Sequence, residues 1–212
     1  MRSKLFILSL FVSFISLAQT SPLDTLYLMN GRIITSSVLD TNSVSVLITD
    51  PENPTKKISI DNESLFAVKY GKGNRFYYYQ QDTIKNWYTQ DEMWLFMQGE
   101  RDARKGFKAK GSFLGGLAAG LAGGASGLAI GEAGAFFGPV LPLAFFTTVG
   151  IPKVRIKHNT VSNPEYLTHD VYILGYEREA RAKRRRQSLL GGGIGVAIGY
   201  IAYFSLRSLV LK

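Results

Sequence analysis

The chain has 212 residues, of which 46% are apolar and 19% are charged, and it carries a formal net charge of +9 and no cysteine. This composition is too hydrophobic for a disordered protein, and the lack of cysteine excludes disulfide bonds and thiol chemistry. The apolar residues gather in three blocks, at residues 5–18, 111–150 and 189–206. The sequence therefore predicts a protein with segments that enter a membrane.

The first apolar block has the layout of a secretory signal peptide. It follows Arg2 and Lys4 and ends in a small-x-small triplet at residues 16–18. An uncleaved anchor is the alternative, but residues 5–18 are short for a span that needs about 20 residues. We predict a signal peptide over residues 1–18 and export of the chain that follows.

Residues 24–88 form short β-rich segments separated by turn residues. Asn30-Gly31 is the strongest hairpin signal, because a primed two-residue turn needs positive φ at both central positions. Closure of such strands removes the exposed edges of a small sheet. We predict an α+β protein that begins with a small five- or six-stranded β-barrel. Its strand spacing, with a helical turn at "DNES", resembles that of Sm-like barrels.

Charge argues against nucleic acid as a partner of this barrel. Sm-like barrels bind RNA through basic and aromatic loops, whereas residues 24–88 contain as many acidic as basic residues. Without net positive charge the barrel lacks the attraction to phosphate that supplies most non-specific affinity. The excess positive charge lies instead beside the two long apolar blocks.

Residues 89–110 are predicted to form an amphipathic helix. Thr89 and Glu92 have the spacing of a capping box, and no helix breaker follows before Gly99. Aromatic residues surround the start of this helix, and they indicate either a peptide-binding face or, preferably, packing and membrane-interface contacts. The acidic residues of "GERDAR" alternate with basic ones, which predicts solvated ion pairs.

Residues 111–152 contain a predicted transmembrane helix. Residues 111–131 carry no charge and would span about 31 Å as a helix. Small residues four apart allow helices to approach closely in lipid. Two sets of glycines are therefore predicted to pack together, within one chain or between copies: Gly116, Gly120, Gly124 and Gly127 in this helix, and Gly191, Gly195 and Gly199 near the C-terminus.

The rest of this apolar block is interrupted by Gly138-Pro139 and Pro142, so we expect residues 133–150 to re-enter the membrane or lie at its surface. A second crossing by this segment is the alternative, and it would place the basic run outside, against the positive-inside preference. Glu132 is the single ionisable group between residues 111 and 150. Intramembrane carboxylates are functional candidates, which makes Glu132 the candidate carboxylate of a pore. An interfacial position for Glu132 is the simpler interpretation, because no other polar residues line either helix.

Residues 153–188 are predicted as a basic loop and helix, and residues 189–212 as a C-terminal transmembrane helix. Residues 153–187 contain nine basic residues against five in residues 101–110, so the positive-inside preference places this loop in the cytoplasm. One crossing would then separate it from an exported barrel. Five basic residues are predicted to set the topology and to contact anionic lipid headgroups: Arg181, Lys183, Arg184, Arg185 and Arg186.

No catalytic constellation is apparent. The common nucleotide-binding and nucleophile motifs do not occur, and a zinc site through His158 and His169 would need at least one further ligand beyond the neighbouring Asp170. We therefore predict neither catalytic residues nor a cofactor or metal, and we do not expect an enzyme.

Three short motifs resemble an uncharacterised group of exported membrane proteins from Bacteroidota: "DTLYLMNGRII" at residues 24–34, "GERDA" at residues 99–103, and "NPEY" at residues 163–166 followed by Gly175-Tyr176, Ala180 and a basic run. The similar sequences usually have glycine at the position of Ser36. The resemblance implies a membrane-anchored envelope protein without known catalytic residues.

We expect the chain to be a membrane-anchored envelope protein that presents its barrel on the periplasmic side of the cytoplasmic membrane for binding or scaffolding. Membrane lipid and either a second copy or another envelope protein are the expected partners, and no small-molecule substrate is identifiable. The alternative is a small transport or pore-forming component built on the glycine-faced helices.

Overall fold

The computed structural model describes residues 23–82 and 84–210. These residues divide into two compact units, one ending at Gln80 and the other beginning at Gln81. The first unit contains the described strands and the second contains the described α-helices. This division confirms the predicted α+β class. The predicted signal peptide lies outside the described residues.

The first unit consists of two antiparallel sheets. The first sheet has the strand order β2-β1-β6-β7 and the second has the order β3-β4-β5. The strands are β1 (Asp24–Leu28), β2 (Ile33–Ser36), β3 (Val38–Thr41), β4 (Ser45–Thr49), β5 (Lys57–Asp61), β6 (Leu65–Lys69) and β7 (Arg75–Tyr77).

The two sheets share one apolar core. Alternate side chains of their strands point inward, and burial of each large side chain contributes roughly 1.5–3 kcal/mol. The core residues are Leu26, Val46, Ile48, Ile60, Leu65 and Val68. Residues of both sheets form this core, and β6 is covered on both of its faces because residues 65–68 are all buried.

The two sheets are not closed into the predicted barrel, and the chain bends where it passes from one sheet to the other. A 3₁₀ turn, Asn62–Ser64, separates β5 from β6 and matches the helical turn predicted at "DNES". The other passage is at Ser36, between β2 and β3. There the Ser36 hydroxyl donates to Thr49 O, and Thr49 N donates to Ser37 O. The serine therefore anchors the bend at the position where the resemblance suggests glycine.

The hairpin predicted at Asn30-Gly31 joins β1 to β2, but its turn is not of the primed type. Gly31 has a φ of 71°, whereas Asn30 does not have positive φ. The Asn30 side chain instead accepts a hydrogen bond from Arg32 N at 3.1 Å. A three-residue loop, residues 29–31, closed by the hydrogen bond from Leu28 N to Arg32 O, replaces the two-residue turn, because one left-handed glycine is sufficient for it.

The second unit begins with helix α1 (Gln90–Gly106), and its capping box is confirmed. Glu92 N donates to Thr89 Oγ1 at 3.3 Å, and Thr89 N donates to Glu92 Oε2 at 2.8 Å. Four helices follow in the apolar and basic regions: α2 (Lys110–Ala125), α3 (Gly127–Phe137), α4 (Val140–Thr148) and α5 (Asp170–Val210).

The straight helix predicted over residues 111–131 is broken at Ser126. Helices α2 and α3 are bent by 105° at this break, and Gly131 inside α3 has a φ of 68°. The Ser126 hydroxyl lies 2.6 Å from the carbonyl oxygens of both Gly123 and Gly134. The serine therefore satisfies backbone acceptors that the break exposes, in a stretch where glycine weakens the helix.

Helix α5 is the axis of this unit. Helix α1 packs on its first part, where Gly99 meets Tyr172, and α2 packs on its later part, where Gly124 meets Gly199. Along α1 and along α2, residues with higher numbers contact residues with higher numbers on α5. Both helices therefore run parallel to α5. Helix α4 then returns the chain toward the part of α5 from which α2 started, because Gly150 lies beside Arg185.

These contacts contradict the predicted crossing between residues 89–110 and the basic segment. Helix α1, residues 154–167 and the start of α5 share one apolar core. Lys183 Nζ also lies within hydrogen-bond distance of the Ala103 and Phe107 carbonyl oxygens, at 3.2 and 3.1 Å. A bilayer core about 30 Å thick cannot separate groups in direct contact. Both regions therefore lie on the same side of any membrane that the apolar helices enter.

Among the described residues, α5 is the one helix long and apolar enough to cross a membrane alone. Only 28% of its most apolar window is buried, which is low for the core helix of a soluble protein. The bent pair of α2 and α3 could supply a second span or a re-entrant loop.

Candidate functional site

A buried carboxylate joins α1, the segment before α5 and α5 itself. Asp102 is 6% exposed, and its Oδ2 atom accepts three hydrogen bonds. The donors are Ser162 N at 2.8 Å, Ser162 Oγ at 2.8 Å and Tyr172 OH at 2.7 Å. Hydrogen bonds to a buried carboxylate are stronger than those between neutral groups. This arrangement fastens residue 162 to both helices.

A second hydrogen bond extends the arrangement to residue 160. The Tyr176 and Thr160 hydroxyl oxygens lie 2.7 Å apart, and we call Asp102, Thr160, Ser162, Tyr172 and Tyr176 the Asp102 cluster. Burial raises the pKa of Tyr172 well above its usual range, and the hydrogen bond to Asp102 raises it further. Burial also raises the pKa of Tyr176. Both tyrosines therefore stay protonated and able to donate at physiological pH.

Small residues allow the two helices of the Asp102 cluster to approach. A Cβ atom added to Gly99 would overlap the Tyr172 carbonyl oxygen, and one added to Gly175 would overlap the Phe96 carbonyl oxygen. Ala103 and Ala180 are fully buried in the same interface. The glycines and alanines of the motifs at residues 99–103 and 175–180 thus permit the backbone contact that brings the polar groups together.

The prediction that the acidic residues of "GERDAR" are solvated is wrong, because Glu100 is 4% exposed and Asp102 is buried as well. Glu100 pairs with Arg178 at 3.5 Å, and burial raises the pKa of Glu100 although Arg178 and Arg104 oppose this effect. Its Oε2 atom has no hydrogen-bond partner among the described residues. The surroundings of Glu100 therefore disfavour the ionised form of its carboxyl group.

The basic residues predicted to contact lipid headgroups make contacts with other residues of the chain. Arg181 pairs with Glu177 at 2.7 Å, and Arg186 pairs with Glu179 at 2.7 Å. Arg184 donates to Pro152 O at 2.6 Å, and Arg185 packs beside Gly150. The carboxylate partners of Arg181 and Arg186 reduce the charge that the run offers to a membrane surface.

Lys183 closes the C-terminal end of α1. Its ammonium group donates to the carbonyl oxygens of Ala103, Arg104 and Phe107, so all three of its hydrogens have acceptors. Burial lowers the pKa of Lys183. Carbonyl groups at the end of a helix lack partners within that helix, and Lys183 supplies them from α5.

A basic groove lies next to the Asp102 cluster. One cavity of about 280 Å³ includes Thr160 and Tyr176 in its wall, and a second of about 490 Å³ reaches the start of α2. The two cavities share four lining residues, Phe107, Lys108, Arg155 and Lys157. Lys153 and Arg184 also line the second cavity, and we use the name basic groove for both cavities together.

The predicted packing glycines of α2 and α5 face one another. A Cβ atom added to Gly195 would lie 3.0 Å from Gly120 Cα, and one added to Gly199 would lie 2.8 Å from Gly124 Cα. Gly116 faces the backbone of Ser188, Gly191 faces the backbone of Phe113 and Leu117, and Gly127 faces the Tyr203 ring. These contacts pack α2 directly against α5.

Glu132 lies away from this helix contact. Its carboxylate is 81% exposed and pairs with Arg207 Nη2 at 2.9 Å near the end of α5. This position gives no support to Glu132 as a pore carboxylate. His158 and His169 are exposed, and the described residues contain no group of three or more potential ligands for a metal ion.

No protein-family model matches the chain, and neither a curated protein nor a solved structure matches it. Evidence about function therefore rests on the geometry of the chain itself.

Sequence reasoning missed the Asp102 cluster and the basic groove. The signal was present in the motifs "GERDA" and "NPEY" and in Gly175-Tyr176, which the fold brings together. Nothing in their spacing indicates that Asp102 is buried, because its partners lie 60 and 70 residues away.

Proposed function

We propose that the chain is a membrane-anchored protein of the cell envelope whose helical unit holds it in the bilayer and whose β unit serves in binding or scaffolding. A broad apolar surface on the helical unit carries this proposal. Large apolar side chains are exposed on four consecutive elements: Leu114 and Leu121 on α2, Leu128, Ile130, Phe136 and Phe137 on α3, Val140, Leu141 and Leu143 on α4, and Leu189, Leu190, Ile194, Ile198, Ile201 and Phe204 on α5.

The length of the apolar part of α5 supports the same proposal. Residues 187–206 carry no charge and lie between Arg186 and Arg207. A helix of this length rises about 30 Å, which equals the thickness of a bilayer core. The glycine contacts between α2 and α5 are of the kind that associates helices in lipid, where apolar side chains can stay on the outside.

The β unit supports a binding role through its edge. Strand β7 is an edge strand of the larger sheet, and its side chains Phe76 and Tyr77 are exposed. Exposed aromatic rings on a strand edge offer both apolar area and backbone hydrogen-bonding groups to a partner. Residues 81–89 contain no apolar run that could cross a membrane.

Lysine substitutions on α5 distinguish a membrane span from an exposed apolar face in water. Ile198 is 48% exposed near the middle of residues 187–206, and Ile198→Lys should prevent stable insertion because a central lysine costs about 2.5–3.5 kcal/mol. Leu174 is equally exposed but lies outside this segment, and Leu174→Lys is the matched control. The measurement is the fraction of full-length chain that remains in membranes after carbonate extraction.

Retention of the Leu174→Lys variant with loss of the Ile198→Lys variant is the expected result. Equal behaviour of the two variants, with the wild type in the soluble fraction, would exclude membrane anchoring.

A further inference from the structure

We propose that the basic groove binds the phosphate group of an anionic phospholipid. The inference rests on the proposed membrane anchoring, and it assigns the lipid contact mainly to Lys108 and residues 153–157, with Arg184 as the one contribution from the basic run at positions 181–186. Five basic side chains and no acidic side chain line the two cavities that form the groove.

The fold holds these charges in place. Within residues 153–157, Val154 is buried and Ile156 packs on the core shared with α1 and α5. The alternating residues Lys153, Arg155 and Lys157 are exposed. The Asp102 cluster then fixes the following residues, 160 and 162, by hydrogen bonds. The basic side chains are therefore displayed from a backbone that is anchored at both ends.

The charges in the groove are not neutralised by the protein. Within the described ranges, no carboxylate lies within 4 Å of Lys108, Lys153, Arg155 or Lys157. Like charges gathered around a cavity raise its electrostatic potential and favour an anion. This contrasts with Arg181 and Arg186, which have carboxylate partners.

Apolar walls beside the charges favour a lipid over a soluble anion. Phe145 and Val149 line the larger cavity of the groove. An adjoining cavity of about 580 Å³ is lined by Phe113 and Leu114 together with Lys110. These residues lie where the uncharged part of α2 begins, so a phosphate in the groove would place acyl chains along the exposed apolar side of that helix.

The test compares lipid retention by the purified full-length chain in detergent, measured by native mass spectrometry. Phosphatidylglycerol and phosphatidylcholine share the phosphate and the chains but differ in net charge. We expect preferential retention of phosphatidylglycerol by the wild type. The double variant Arg155→Gln/Lys157→Gln should weaken it about 30-fold, because each basic residue near an anionic headgroup contributes about fivefold.

A matched control removes the same charge elsewhere. Lys56 and Lys57 are exposed in the β unit, and Lys56→Gln/Lys57→Gln should leave retention unchanged. Equal retention of the two lipids by the wild type, or equal losses in both double variants, would overturn the proposal. Displacement of the lipid by inorganic phosphate at equal concentration would overturn it in favour of a soluble anion. If the chain stays in membranes after carbonate extraction, any of these results rejects lipid binding by the groove but not the proposed membrane anchoring. Failure of the groove proposal can therefore be distinguished from failure of the proposed function.

Discussion

The carboxylate of Asp102 accepts three hydrogen bonds through one oxygen atom in a buried site. Asp102→Ala should lower the free energy of unfolding by about 3 kcal/mol, because it leaves these buried donors without an acceptor. Tyr172→Phe removes one donor and should cost about 1 kcal/mol. Urea unfolding of the detergent-solubilised chain, followed by tryptophan fluorescence, measures both changes.

Asp91→Ala is the control for Asp102, since Asp91 is exposed on the same helix. Its effect should stay below 1 kcal/mol. A cost for Asp102→Ala no larger than that of Asp91→Ala would show that the Asp102 cluster does not hold the unit together.

Glu100 predicts a pH dependence of stability. Burial raises the pKa of Glu100 in the folded chain above that of the unfolded chain, so the folded state holds this proton to higher pH. Its contribution to stability is therefore fully present below the unfolded pKa of about 4.3, and it is lost as the pH rises through the folded value. The Glu100→Gln variant cannot ionise and should lack this loss.

The measurement for Glu100 is the free energy of unfolding of wild type and variant between pH 4.5 and 8. The wild type should become less stable relative to Glu100→Gln as the pH rises. A relative gain by the wild type would mean that the ion pair with Arg178 outweighs the cost of burial.

Single residues were only partly predictable from the sequence. The pairing of Thr89 with Glu92 is local and was correctly predicted. The burial of Asp102 depends on Ser162 and Tyr172, which the fold brings from far along the chain. Alternation of charges in "GERDAR" fits a solvated helix face and a buried polar cluster equally well.

At the scale of elements, the contact between α2 and α5 depends on the absence of side chains. Gly120→Ala and Gly195→Ala should each destabilise the helix pair by about 2 kcal/mol, because the added Cβ meets backbone atoms that cannot rotate away. Gly193→Ala is the matched control on α5, where an added Cβ meets nothing within 4 Å. It should be neutral or slightly stabilising, since alanine favours a helix more than glycine does.

Thermal unfolding of these variants in one detergent measures the difference between them. Equal melting temperatures for Gly193→Ala and Gly195→Ala would show that the glycines do not determine how the helices pack.

Elements were predictable where local chemistry decides them. The capping box and the lack of a helix breaker located α1, and the absence of charge located the apolar part of α5. The break at Ser126 depends on two carbonyl acceptors, Gly123 and Gly134, and the second becomes available only after the bend has formed. The strands of the β unit were located by composition, but the bends at Ser36 and at Asn62–Ser64 decide that they form two sheets.

At the scale of the whole molecule, the arrangement of α5 and its partners determines the topology. The number of basic residues predicted a crossing between residues 89–110 and the basic segment. Such a count does not show which basic side chains are bound to other parts of the protein. Lys183 binds the end of α1, and Arg186 is paired with Glu179. These contacts hold α1 and the basic segment together, so both would lie on the same side of a bilayer that the apolar helices enter.

We propose that α1 and the segment before α5 face one compartment while helix α3, between α2 and α4, faces the other. The chain has no cysteine, so single cysteines at Lys105, His169 and Ala133, which are all exposed, report on accessibility. The measurement is labelling of intact cells by a membrane-impermeant maleimide, before and after permeabilisation. The account predicts the same result at Lys105 and His169 and the opposite result at Ala133. Opposite results at Lys105 and His169 would contradict it, because a bilayer would then separate segments that share one core.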